Sequence, residues 1–390
     1  MRRQASLSIL VLIVFVDLLG FGMVIPVMPL YAKELGAPEA WTGLLSTGYS
    51  AMQFVFAPIW GQLSDRIGRR PVLLVSIAMT ALAFLMYGLA GSFAVLLISR
   101  LFAGAATANI AIAQAYVADV TPPEERAAGM GYIGAAFGFG FVLGPAIGGV
   151  LSSWSLGLPG LAAAALAALN GLAAYFVLPE PEHRRARSDR GRLAALAEGL
   201  GRPGVRRLIA CYFLLILAFS AMENTYSFLV QERYGLSRAH VNYLFAYIGV
   251  LVVVVQGGLV RPLSKRLGER SLLVMGAALQ GLSLAALPFA NGLGGLLLAT
   301  APLAVGSGFS SPAITALISR HSHAEEQGGT LGVGQSAAAV GRILGPESGT
   351  FTYSRFSPAF PYLAGAAVMA LAALVGSTVR RTPGPAATDA

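Results

Sequence analysis

The 390-residue chain is 56% hydrophobic and only 12% charged, with a formal net charge of +9 and a mean hydropathy of +0.69. Soluble globular chains carry roughly 25% charged residues, so this composition excludes a soluble domain and specifies a multi-spanning membrane protein. The single cysteine, Cys211, excludes an intrachain disulfide; His183, His240, His321 and His323 show no metal-ligand spacing, and no cofactor is expected.

Apolar runs of about 20 residues recur along the chain, long enough for a helix to cross roughly 30 Å of hydrocarbon. The short period-2 segments of a β-barrel are absent. The first run follows Arg2 and Arg3 as a signal peptide would. It continues to Leu30 with no small-residue cleavage site, so it is read as a retained span. Spans are expected at 7–30, 41–63, 72–90, 93–117, 127–151 and 158–178, then at 206–230, 240–262, 271–290, 293–318, 328–353 and 359–379. The fold class is therefore all-α: twelve transmembrane helices in two six-helix bundles, 1–178 and 205–390, joined by a cytoplasmic linker at 179–204. Within the linker, Leu193–Leu200 has the composition of a short amphipathic surface helix.

The basic residues support this topology. With both termini in the cytoplasm, the inner loops and tails collect most of the 27 lysines and arginines. Only Lys33, Arg233, Arg238 and Arg355 fall in outer loops, and Arg100 and Arg342 fall inside spans. That asymmetry is the positive-inside pattern. The net positive charge is read as a response to anionic lipid, not nucleic acid.

The chain also repeats itself. Leu63–Arg70 aligns with Leu263–Arg270 at an offset of 200. Leu143-Gly144-Pro145 aligns with Leu344-Gly345-Pro346, and Glu124-Glu125-Arg126 with Glu325-Glu326-Gln327, at 201. A parallel duplication of six spans places a binding site between the halves near the midplane.

Four stretches carry a family resemblance. GQLSDRIGRR at Gly61–Arg70 resembles the loop between the second and third spans of the major facilitator superfamily, in the form seen in its tetracycline and multidrug drug:proton antiporters. Asp17–Pro29 resembles the first-span motif of that branch. Arg100–Gly104 resembles the fourth-span motif, and Gly140–Gly149 the fifth-span antiporter motif. The resemblance implies that Gly61, Asp65, Arg66, Gly68, Arg69, Arg70 and Asp119 form a cytoplasmic latch. In it Arg69 would pair with Asp119, and Asp65 would face a second-half helix N-terminus, where the helix dipole favours an anion. The second copy has Lys265 in place of Asp65 and cannot repeat that contact.

Among the acids, Asp17, Glu223 and Glu347 fall well inside spans. Charge at membrane depth is costly and faces the bundle interior or a wet cavity. Burial disfavours the ionised form of a carboxylate, which suits proton exchange near neutral pH. Asp17 lies roughly 16 Å into the first span, and an Asp17–Arg100 interaction, direct or through water, is expected to switch its proton affinity. Gly104, Thr107, Ala111 and Gln114 share the Arg100 face. Glu223 sits beside Asn224 as a second proton or cation-recognition candidate, and Glu347 is a cavity residue or a partner of Arg342. Gly140, Gly144, Pro145, Gly148 and Gly149 form a small-residue groove for close packing, kinked by the proline.

The expected function is secondary active transport by alternating access: proton-coupled efflux of a drug-like amphipathic small molecule. The alternatives are an uptake symporter or uncoupled facilitator for a sugar, organic anion or siderophore, or a receptor or scaffold that has lost transport. The expected partners are the small-molecule substrate, protons and the lipid bilayer of a cell membrane, with no nucleic acid and the chain acting as a monomer. No P-loop is present, so the energy must come from a gradient.

Overall fold

The computed structural model describes residues 2–107, 109–120, 126–180, 203–321 and 327–379. Among these described residues every regular element is helical, in twelve rods. They are α1 (Ser8–Glu34), α2 (Glu39–Ile67), α3 (Arg69–Gly88), α4 (Phe93–Ala106 and Asn109–Val120), α5 (Arg126–Ser152) and α6 (Leu158–Val177). The second set is α7 (Pro203–Arg233), α8 (Arg238–Leu267), α9 (Glu269–Phe289), α10 (Gly292–Arg320), α11 (Gln327–Arg355) and α12 (Phe360–Ser377). The expected Leu193–Leu200 helix, most of the linker, the Glu124-Glu125 and Glu325-Glu326 pairs and the C-terminal tail lie outside the described residues.

Eight rods are long and apolar enough to cross a membrane: α1, α3, α6, α7, α8, α9, α10 and α12. The rods α2 and α11 are 29 residues each but carry more polar residues, and α4 and α5 hold shorter apolar helices. Large apolar side chains such as Phe176, Leu298 and Leu172 point outward, as contact with lipid tails requires. Prolines in the first turn of α6 and α12 supply a preset φ where no hydrogen bond is lost.

The chain packs into two compact units. The first comprises Met1–Arg187, Glu223–Val250 and Pro346–Pro358; the second comprises Ser188–Met222, Leu251–Gly345 and Ala359–Ala390. The first thus holds α1 to α6 with one end each of α7, α8 and α11.

Two sequence expectations change. Gly61–Arg70 is not an open loop. α2 stays helical through Ile67 and α3 begins at Arg69, so Gly68 alone makes the turn, with φ of 120°. Polarity marked where the chain leaves the apolar layer, and the helix continues past that point. The repeat does the same: α8 ends at Leu267, Gly268 turns with φ of 81°, and α9 begins at Glu269.

The fourth span is also not one continuous rod. Its first piece ends at Ala106 and the second starts at Asn109, with Thr107 extended between them at ψ of 91°. An interruption at membrane depth leaves carbonyls that no water can satisfy. Here neighbouring helices supply donors: Trp60 Nε1 donates to Ala105 O at 2.6 Å and Ser76 Oγ to Ala106 O at 2.5 Å. The Thr107 hydroxyl bonds Ala103 O at 2.7 Å and lies 3.0 Å from the Tyr49 hydroxyl.

Candidate functional site

The glycine groove brings two backbones into contact. A Cβ on Gly144 would lie 2.8 Å from both Gly22 Cα and Leu19 O of α1; one on Gly140 would meet Leu18, and one on Gly148 would lie 2.5 Å from Met23 O. Pro145 is buried in the same seam, next to Gly22. The second half repeats the device on α7. A Cβ on Gly345 would lie 2.7 Å from Leu217 O and one on Gly341 3.1 Å from Phe213 O, with half-buried Arg342 between them in sequence. Gly149 differs from its neighbours: its missing Cβ would strike Asn242 of α8 at 2.7 Å.

At the Gly68 end of α2 lies a buried ionic cluster. Arg69 and Asp119 are 7% and 5% exposed and are joined Nε to Oδ2 at 3.0 Å. The same guanidinium reaches Asp65 Oδ1 at 2.5 Å and donates to Ser64 Oγ at 2.7 Å. Ser64 in turn donates to Gly61 O at 2.9 Å. Arg70 donates to Tyr175 O at 2.6 Å and lies over the Tyr175 ring, while Arg66 is exposed. Removing one partner of such a buried pair strands the other's charge, which costs about 3–5 kcal/mol.

The interior acids lie on α1, α7 and α11. Asp17 takes a hydrogen bond from Asn109 Nδ2 at 3.1 Å, at the start of the second piece of α4. Arg100 is 2% exposed and lies 4.7 Å from the centroid of the Tyr49 ring; its Nε is buried without a hydrogen-bond partner. An Asp17–Arg100 ion pair is not among those formed by the described residues. Gln114 is exposed on the second piece of α4, so the interruption separates it from the Arg100 stripe. Glu223 is half-buried, and its neighbour Asn224, 3% exposed, accepts from Ser46 Oγ of α2 at 2.7 Å. Glu347 stands beside Gly43 of α2, and its Oε2 is buried without a hydrogen-bond partner.

A second ionic cluster sits at the opposite end of α2, one helix length away. Lys33 of α1 pairs with Glu39 of α2 at 2.7 Å and with Glu232 of α7. Glu232 also accepts from the Tyr353 hydroxyl of α11 at 3.1 Å. Glu34 pairs with Arg238 of α8 at 2.7 Å. Beneath them, Ser227 donates to Pro26 O at 2.7 Å and Thr350 to Ala40 O at 3.2 Å. A π-helical turn at Leu229–Arg233 ends α7 and carries Glu232. No sequence motif marked this cluster. Its charged residues stood in expected outer loops, those on α1 and α2 about 200 positions from those on α7 and α8, where single charges are ordinary.

Comparison with known proteins places the arrangement. The sequence profile of the Major Facilitator Superfamily matches residues 10–346 and 259–389. The class G tetracycline resistance protein of Vibrio anguillarum is 34% identical over 364 residues, covering 90% of this chain and 91% of the relative. Multidrug resistance protein 2 of Bacillus subtilis (strain 168) is 28% identical over 380 residues, covering 94% of each chain. Among solved structures, the human organic anion transporter MFSD10 is 25% identical, with a TM-score of 0.73, 96% of this chain covered and 99% of that one. The nucleoside transporter NupG, at 12% identity and a TM-score of 0.82 over 96% of this chain and all of that one, shares the fold. These matches run the length of the chain, and its twelve-helix duplicated architecture agrees with them: the protein belongs to the Major Facilitator Superfamily of transporters.

Proposed function

We propose that this transporter exports a drug-like amphipathic small molecule in exchange for protons, by alternating access in a cell membrane with both termini cytoplasmic. The observation that carries the proposal is Asp17, a carboxylate within α1 whose hydrogen-bond donor, Asn109, begins the second piece of an interrupted helix. Protonation of Asp17 removes the charge that Asn109 donates to. The interruption lets the piece bearing Asn109 respond without dragging the piece bearing Arg100. The Arg69–Asp119 cluster then acts as the cytoplasmic latch and the Lys33–Glu232 cluster as the outer clasp. Both are formed in this structure; release of either one favours the conformation open on its side, and protonation and substrate decide which is released. The tetracycline and multidrug resistance relatives support the substrate class.

A second reading has its own support. The buried Arg100 guanidinium, with an unpartnered Nε, suits an anionic substrate, and one structural relative is an organic anion transporter. Proteoliposomes with an imposed pH gradient separate the two. Proton-linked flux of tetracycline or a lipophilic cation supports the drug antiporter. Flux restricted to an organic anion supports the second reading. Equilibration that ignores the gradient refutes coupling in both.

A further inference from the structure

We propose that Glu180 is a positioning residue for the Arg69 latch, and that it ties the start of the linker between the two halves to the first turn of α3. This rests on the latch reading of Gly61–Arg70. Glu180 lies just beyond the end of α6. Its Oε1 accepts from the Arg69 main-chain N–H at 2.7 Å and its Oε2 from the Arg70 main-chain N–H at 2.8 Å. The first N–H groups of a helix have no partner within it and carry the positive end of the helix dipole. A carboxylate bridging two of them is a charge-assisted cap, here supplied from 110 positions away.

Gly68 is shaped for this carboxylate. A Cβ there would lie 2.7 Å from Glu180 Oε1 and 2.9 Å from the carboxyl carbon. The duplicated half provides the internal comparison. Gly268 makes the same turn, yet among the described residues a Cβ on it would meet nothing within 4 Å. Both halves keep the arginine contact, Arg70 donating to Tyr175 O and Arg270 to Ser377 O. The sequence differs at the corresponding place: at the offset of 201 the second half has Arg381 where the first has Glu180. The segment leading to Glu180 is also held by Tyr116 of α4, whose hydroxyl donates to Pro179 O. Three elements therefore meet at one turn: the end of α6, the α3 N-terminus carrying Arg69, and α4 carrying Asp119.

The consequence is mechanical. When the latch opens, Arg69 must find Asp119 and Asp65 again. The Glu180 cap keeps the backbone of Arg69 in register while the side-chain pairs are broken. It also transmits any pull on the linker directly to that backbone. The bonds described for Glu180 go to the α3 backbone and not to Asp17 or Asn109, so its loss should slow turnover and leave substrate affinity in place.

The test uses the full-length protein in nanodiscs and proteoliposomes, comparing wild type with Glu180→Ala, Glu180→Gln and Asp119→Asn. Amide hydrogen exchange at Arg69 and Arg70 reads the cap without any substrate. Exchange there should rise about tenfold or more in Glu180→Ala. Glu180→Gln, which keeps one acceptor oxygen, should be intermediate, and Asp119→Asn should retain protection. With tetracycline as the transport probe, Glu180→Ala should lower the maximal rate several-fold at unchanged KM and unchanged protein level, with partial recovery in Glu180→Gln. Unchanged exchange in Glu180→Ala overturns the cap. A transport loss that only tracks lost protein, or that appears as raised KM, overturns the positioning role. If Asp119→Asn transports normally, the latch reading fails, while the exchange data still decide the cap.

Discussion

Truncating Glu232 to alanine tests the outer clasp. The side chain joins α7 to α1 through Lys33 and to α11 through Tyr353. Glu232 and Lys33 are 35% and 46% exposed, so their ion pair is screened and contributes about 0.2–1 kcal/mol. Tyr353 is 3% exposed, and its hydroxyl would lose a charged acceptor, a loss of about 1.5–3 kcal/mol. The clasp as a whole should weaken by about 1.7–4 kcal/mol, a shift of roughly 15- to 700-fold in the balance between closed and open outer ends. Cys211 is buried and is the only cysteine, so Cys211→Ala gives a clean background for a reporter. Thr42→Cys is suitable, because Thr42 is fully buried near the clasp and its hydroxyl bonds only to Glu39 O among the contacts described. Glu232→Ala should accelerate its alkylation by a membrane-impermeant maleimide added from outside. High salt should accelerate the parent protein slightly and Glu232→Ala less, since only the ion pair is screened. An alkylation rate within about twofold of the parent would refute the clasp, because the shift worked above is more than tenfold.

Other variants probe the helix seams, the α4 interruption and the Asp17 pairing. Gly144→Ala places a methyl 2.8 Å from backbone atoms of α1, so it should destabilise by about 1–3 kcal/mol. Gly332→Ala, with open space around it, should be neutral or stabilising by up to about 1 kcal/mol; thermal unfolding in detergent compares them. Ser76→Ala removes the donor to Ala106 O and should cost about 1–3 kcal/mol by the same measurement, whereas a continuous fourth helix would make it nearly silent. Asn109→Leu strips Asp17 of its donor; proton-driven transport should fall about tenfold or more at unchanged protein level. Wild-type rates in Asn109→Leu would refute the assigned pairing.

The helices and the duplication were legible because each depends on one-dimensional signals. Long apolar runs set the rods, basic residues set their expected alternation, and Leu63–Arg70 repeating at Leu263–Arg270 set the two halves. The structure carries that repeat into packing, with Gly144 on Leu19 and Gly345 on Leu217. The interruption in α4 was not legible, since Ala105-Ala106-Thr107-Ala108-Asn109 contains neither glycine nor proline and the stabilising donors, Trp60 and Ser76, come from other helices. Asp17 invited pairing with Arg100 because both are charged; Asn109 is neutral and carried no such signal. The outer clasp was hidden for a different reason. Lys33, Glu34, Glu232 and Arg238 are ordinary surface charges in sequence, and only the meeting of α1 and α2 with α7, α8 and α11 gives them partners.

In the proposed cycle a proton at Asp17 drives substrate movement. Its most direct test is proton flux in proteoliposomes, measured with a pH-sensitive dye when tetracycline is added on one side, for wild type and Asp17→Asn side by side. Substrate-dependent proton flux in the wild type, and its loss in Asp17→Asn with substrate binding retained, is the expected result. Full substrate-coupled proton flux in Asp17→Asn would show that the driving proton is carried elsewhere.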